Sequence, residues 1–188
     1  MMKTPLKQVL FIALLTAQAV VLGIIEQLIP FPFAFAPGAK LGLPNLITLI
    51  ALFTMKKRES FLLVWMRVIL TTLLGGTAST FLYSITGALL SYFGMLLVKQ
   101  LGAKRISLVG ISAVGGFLHN VGQLLMASLI AETTTVMYYL PFMSLIGLIA
   151  GIALGIAANY LFRHVRELQK HLRTDDPNAL ALRKELNL

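Results

Sequence analysis

The chain has 188 residues, 57% of them hydrophobic and 12% charged, with a mean hydropathy of +0.85 and a net charge of +9. That leaves too little polar surface to clothe a water-soluble domain of this length, and the positive charge does not gather on a polar fold as a nucleic-acid-binding face would. Cysteine is absent, which excludes disulfides and thiolate metal sites.

The N-terminal segment, Met1 to Lys7, is basic and runs into an apolar stretch, as a signal peptide does. The stretch runs about twenty residues, reaches Glu26 and has no convincing small-x-small cleavage site, so it reads as a retained first span, Gln8 to Leu28. Ile29 to Lys40 follows as IPFPFAFAPGAK, whose prolines and glycine exclude a continuous helix. The second span, Leu41 to Met55, is short and opens on LGLPN, with Pro44 acceptable in a first helical turn. Lys56-Lys57-Arg58-Glu59 makes a charged turn, and the third span, Ser60 to Gly75, carries Arg67 near its middle. Gly75-Gly76-Thr77 interrupts the pattern before a fourth span, Ala78 to Val98. The loop Lys99 to Ile106 leads to the fifth span, Ser107 to Ala131, and ETTTVMYYL separates that from the sixth, Pro141 to Phe162. From Arg163 charges alternate at helical spacing up to Thr174, where Asp175-Asp176-Pro177 stops the pattern. The predicted fold is therefore an all-α integral membrane protein, a six-transmembrane-helix bundle over residues 1–162 with a charged cytoplasmic tail over 163–188.

Charge orients the bundle. Of the sixteen lysines and arginines, all but Lys40 and Arg67 lie in the N-terminal segment, the second loop, the fourth loop or the tail. Basic residues stay on the cytoplasmic side during insertion, so an even number of spans with both termini cytoplasmic satisfies every loop at once. The bilayer itself is a partner of the chain.

A charged or strongly polar group in hydrocarbon costs a few kcal/mol on insertion scales and faces a cavity or a partner. Glu26, Lys40, Asn45, Arg67, His119, Asn120, Gln123 and Asn159 are the candidates. Glu26 ends the first span, and Lys40 and Asn45 begin the second, so with the first loop they converge on a pocket opening outward. Ser112, Gly116, His119 and Gln123 recur at steps of four, three and four and share a helix face, with Asn120 beside it. That stripe either lines a pocket or hydrogen-bonds neighbouring helices. Arg67, always charged, needs a carboxylate, carbonyls or an anionic ligand; it meets a ligand or braces the bundle, Glu26 being the acid at hand. Phe31, Phe33 and Phe35 alternate with prolines and project together, as an aromatic lid or as an interfacial anchor. Two spans carry small-residue ladders, Gly147, Gly151 and Gly155 in the sixth and Ala13 and Ala17 in the first. Such ladders pack helices closely within the chain or against a partner.

No P-loop motif is present, so the chain does not bind ATP in that manner. Asp175-Asp176 is not a repeated, facing carboxylate site for magnesium and a diphosphate. His119, His164 and His171 include no pair with metal-ligand spacing inside the membrane. No cofactor, catalytic residue or metal site is expected.

PGAKLGLPNLITLIALF (Pro37 to Phe53), Arg67 and GGFLHNVGQLL (Gly115 to Leu125) together resemble a bacterial membrane family labelled both "heptaprenyl diphosphate synthase component I" and "Gx transporter". The likeness covers nearly all of the first 162 residues. That family in turn resembles the substrate-binding S components of energy-coupling factor (ECF) transporters, six-helix proteins with an outward pocket roofed by the first loop. The resemblance implies a small-molecule or vitamin uptake subunit whose substrate binds from outside, near Glu26, Lys40, Asn45, Arg67, His119, Asn120 and Gln123. It also implies partners, a transmembrane coupling subunit met through Ala13 and Ala17 and an ATPase pair. The synthase label implies instead an accessory to isoprenoid or quinone synthesis, without the carboxylate clusters that prenyl elongation requires. A structural anchor within a membrane redox assembly is a third reading.

Overall fold

The structure is a computed structural model that describes residues 5–28, 40–102 and 106–171, with backbone alone for residue 5 and residues 165–171. Six α-helices follow in order: α1 (Pro5–Leu28), α2 (Asn45–Thr54), α3 (Lys57–Gly75), α4 (Ala78–Gln100), α5 (Leu108–Ile130) and α6 (Leu140–His171). A 3-10 turn, Thr134–Tyr139, joins α5 to α6 within the segment read as a plain loop. Phe31, Phe33 and Phe35 lie outside the described residues, as do Lys104, Arg105 and the tail beyond His171.

Helix ends follow local chemistry. The Thr80 backbone N–H donates to Thr77 Oγ1 at 3.2 Å and the Thr77 N–H donates to Thr80 Oγ1 at 2.6 Å, which closes the first turn of α4 just after Gly75-Gly76. Ser107 starts α5 in the same way, accepting from the Gly110 N–H at 3.1 Å. Helix α2 begins at Asn45 rather than Leu41, because Gly42 sits at φ +89°, which a helix does not allow. Its far end is held by Lys99, whose Nζ donates to the Leu52 carbonyl at 2.5 Å and lies 4.4 Å from the centre of the Phe53 ring. Lys99 thus caps a helix C-terminus as well as adding to loop charge. Helix α6 runs unbroken from the sixth apolar span through Arg163 to His171.

Helices α1, α3, α4, α5 and α6 stand in a curved row, each packed on the next, and short α2 fills the hollow and touches all five. That placement explains why α2 is apolar all round, with Leu49, Ala51 and Leu52 nearly or fully inaccessible. One side of the core gathers Leu49, Val64, Val68, Ala88, Tyr92 and Met95, where the Tyr92 hydroxyl donates to the Lys57 carbonyl at 2.8 Å and lies 3.0 Å from Ser60 Oγ. On the opposite side α1 meets α2 through Leu15, Ala19, Ile47 and Ile50, with Phe162 of α6 packed against them.

The outer surface is apolar. Leu10, Leu14, Val21 and Ile25 of α1, Leu73 and Leu74 of α3, and Leu145, Ile149, Ile152 and Ile156 of α6 are all exposed. Water does not tolerate a patch of that extent on a soluble monomer. Four stretches are long and apolar enough to cross a membrane, Leu6–Leu28, Ala78–Gln100, Leu108–Ile130 and Thr134–His164. Two such stretches or more make a multi-pass membrane protein.

Glycine sets the closest helix approach. A Cβ on Gly116 of α5 would fall on the Gly147 carbonyl oxygen of α6, and one on Gly155 would lie 2.7 Å from the Val109 Cα. The GxxxG ladder of α6 is therefore spent inside the bundle, against α5. Gly116→Ala is expected to push α5 from α6 and lower the melting temperature by roughly 3–10 °C, the overpacking cost of about 1–3 kcal/mol in a chain of this size. Trp65 fluorescence during heating of the detergent-solubilised protein reads it.

Candidate functional site

The polar residues of five segments meet on one level of the bundle. Glu26 closes α1, Lys40 to Pro44 lead into α2, Arg67 and Thr71 lie one turn apart on α3, Ser84 lies on α4, and His119, Asn120 and Gln123 lie on α5. The side chains of Glu26, Lys40, Asn45, Arg67, His119, Asn120 and Gln123 are all buried, none more than 8% exposed.

The segment before α2 is tied down from two sides. Gln123 holds Lys40 through a reciprocal pair, its Oε1 accepting from the Lys40 N–H at 2.6 Å and its Nε2 donating to the Lys40 carbonyl at 2.7 Å. Glu26 Oε1 accepts the backbone N–H groups of Gly42 and, at 3.0 Å, of Leu43. Gly42 itself is wedged between neighbours: a Cβ there would lie 2.6 Å from Asn45 Nδ2 and 2.9 Å from the His119 ring. With φ +89° as well, Gly42→Ala is expected to cost about 1–3 kcal/mol in backbone strain alone, read as a lower denaturation midpoint.

Arg67 donates from Nη2 to Asn45 Oδ1 at 2.9 Å. Glu26 is its electrostatic neighbour, and so is Lys40 that of Glu26. The His119 ring packs on Gly87 of α4, where a Cβ would lie 2.9 Å from the imidazole; the Gly87 backbone acts on it electrostatically, yet neither ring nitrogen has an aligned hydrogen bond. Asn45 Nδ2, Arg67 Nε and Ser84 Oγ are buried without a partner, and the His119 ring has at most the Gly87 backbone, which leaves at least one of its nitrogens unmet. Buried polar atoms are normally satisfied, so this concentration of unmet groups marks a place arranged for something else. Beside them is a small cavity of about 20 Å³, lined by Glu26, Lys40, Gly42, Arg67, Ser84 and His119 among others.

The polar stripe read on α5 divides between two neighbours. Asn120 donates from Nδ2 to the Met143 carbonyl of α6 at 2.6 Å and accepts from Gln123 Nε2 at 3.0 Å. Ser112 and Gly116 also turn to α6, next to Gly151, Gly155 and Gly147. His119 and Gln123 alone face the segment before α2. Asn159, twelve residues before the end of α6, is not among the lining residues.

Sequence reasoning missed Ser84, Thr71 and Gly42. Thr71 lies four residues after Arg67, on the same helix face, and that spacing was a usable signal. Ser84 carries no such mark, because serine is common in membrane helices. Away from the cluster, Ala13 and Ala17 are exposed on α1, and a shallow groove runs beside Ala17, lined by Leu14, Gln18, Val21, Leu22 and Ile47.

An apolar helical bundle enclosing a buried, incompletely satisfied polar cluster defines a polytopic membrane protein. The sequence profile of the family described as heptaprenyl diphosphate synthase component I matches residues 15–161. The chain belongs to that family. No curated protein and no solved structure matches it.

Proposed function

We propose that the chain is a substrate-binding membrane subunit, similar in plan to ECF-transporter S components, that takes up a small molecule across a bacterial cytoplasmic membrane. One observation carries the reading: Arg67 Nε on α3, Ser84 Oγ on α4 and a His119 ring nitrogen on α5 lack partners, and these three residues line one cavity inside an apolar bundle. Buried unmet donors cost about 1–3 kcal/mol each, and a bound ligand is the ordinary return for that cost. In this reading α1, α3, α4, α5 and α6 cross the bilayer as helices, and the remaining crossing combines α2, only about 15 Å long, with the segment Lys40 to Pro44 that leads into it, both ends being cytoplasmic. At 19 residues α3 is long enough, at about 1.5 Å per residue, to reach across most of a ~30 Å hydrocarbon core. Ligand arrives from the outer side, where Lys40 to Pro44 close the cluster beside Glu26 and Gln123.

The chain supplies no chemistry of its own and works with partners. The exposed alanines Ala13 and Ala17 on α1 offer a smooth face for a transmembrane coupling subunit, with an ATPase pair behind it. The family description favours a second reading, a non-catalytic membrane accessory of prenyl diphosphate synthesis.

Purification from native membranes separates the two. The transport reading expects native mass spectrometry to find a retained small molecule and co-purification with an ATPase pair. Co-purification with a soluble prenyl synthase, with stimulated chain elongation and no retained solute, overturns it in favour of the accessory reading.

A further inference from the structure

We infer that the ligand presents a compact, singly charged oxyanion of the carboxylate kind to Arg67, Asn45 and His119. The inference rests on the substrate-binding reading and narrows it to a class of substrate.

Charge is the first support. Glu26, Lys40 and Arg67 are buried together and feel one another. Their formal charges leave one positive charge over. The single acid is also engaged twice by the backbone, at Gly42 and Leu43. An uncompensated cation inside an apolar bundle is costly unless a counter-charge joins it.

Hydrogen-bond polarity is the second support. Arg67 Nε–H and the Asn45 Nδ2 amide are unpartnered, and both are donors only. Ser84 Oγ and a His119 ring nitrogen are able to donate as well, so a ligand that accepts satisfies all of them together. A ligand cation satisfies neither Arg67 nor Asn45. The Asn45 orientation follows from its neighbour, since Arg67 Nη2 requires an oxygen opposite it.

Size and charge number select among anions. The cavity, about 20 Å³, holds little more than one water-sized group, so the part recognised here is small and not a ring. One negative charge neutralises the cluster, whereas two would overshoot it.

The test uses the full-length protein in detergent near neutral pH. Melting is followed by Trp65 fluorescence with sodium acetate, acetamide, methylammonium chloride and sodium phosphate, at ionic strength matched with sodium chloride. Acetate is expected to raise the melting temperature by roughly 3–6 °C at ten times its dissociation constant, and the other probes by less than 1 °C. Arg67→Gln is expected to remove the acetate shift. Should that variant not fold, Asn45→Asp, which supplies an internal carboxylate beside Arg67, removes it instead. An acetate shift that survives the substitution overturns the inference. So does a larger shift with acetamide, methylammonium or phosphate, and in that case the binding reading stands. If no probe shifts melting, the molecule retained in native mass spectrometry decides: an organic acid upholds the inference, and a neutral or cationic molecule overturns it alone. The absence of any retained molecule overturns both.

Discussion

Glu26→Ala is expected to destabilise the protein by about 3–5 kcal/mol, the largest effect of any single side chain in the cluster. Three losses combine. The Gly42 and Leu43 N–H groups lose their acceptor inside the protein. Lys40 and Arg67 lose the one negative charge near them. The turn that places Gly42 against Asn45 and His119 loses its tether to α1. Glu26→Gln tells these apart, because its amide oxygen still accepts the two N–H groups while the charge is gone. Equilibrium unfolding in mixed micelles is the measurement. The glutamine variant is expected to fall between the alanine variant and the parent. A parent-like Glu26→Ala protein would mean that the cluster is solvated and carries no buried charge balance.

Arg67→Gln should separate binding from stability in the opposite sense. Losing a charge-assisted hydrogen bond to an anionic ligand costs about 1.5–3 kcal/mol, or roughly 10- to 100-fold in affinity. Stability is expected to change by less than about 1 kcal/mol, because the substitution removes the surplus positive charge while Lys40 remains beside Glu26. Arg67 was open to two readings from sequence, a ligand contact or a brace to Glu26. Its hydrogen bond runs to Asn45 of α2, 2.9 Å away. That contact does tie α3 to α2, so the variant decides between roles. A chain that fails to insert or unfolds on extraction makes Arg67 a brace. A folded chain that no longer retains its small molecule makes it a ligand contact.

The family description names a synthase component, and the residues bear on what that means here. Glu26 is committed to backbone N–H groups and to neighbouring cations. Glu132 is exposed in the turn after α5, at φ +50°. Neither arrangement offers the facing carboxylates that hold magnesium and a diphosphate.

Much of the architecture was legible in the sequence, because a bilayer imposes simple demands. Apolar runs of spanning length must be helices, since hydrocarbon satisfies no backbone group. Gly75-Gly76 and the loop after Lys99 punctuate those runs where the helices end, whereas the expected turn Lys56–Glu59 shrinks to Met55-Lys56, because Lys57, Arg58 and Glu59 form the first turn of α3, with Glu59 accepting the Lys56 N–H. Intramembrane polar residues are rare enough that naming them amounts to listing a site. Glu26, Lys40, Asn45, Arg67, His119, Asn120 and Gln123 all proved buried. They come from four separate stretches of chain, and hydrogen bonds among them join Lys40, Gln123 and Asn120 in one group and Arg67 and Asn45 in another. The 3-10 turn Thr134–Tyr139 was not legible, because ETTTVMYYL has neither a helical period nor a breaker.

From sequence alone came the helix count, the polar residues that must be sheltered and the small residues that let helices approach. These depend on composition and spacing along one element, where the cost of placing a group in hydrocarbon is decided residue by residue. Tertiary structure alone decided the partners. Gly147 and its ladder face α5, Gln123 clasps the Lys40 backbone across 83 residues of chain, and Asn120 turns away to α6 while neighbouring His119 faces the cavity. Spacing gives the face of a helix, but which neighbour that face meets depends on how all six pack, and only that packing determines which donors are left unmet.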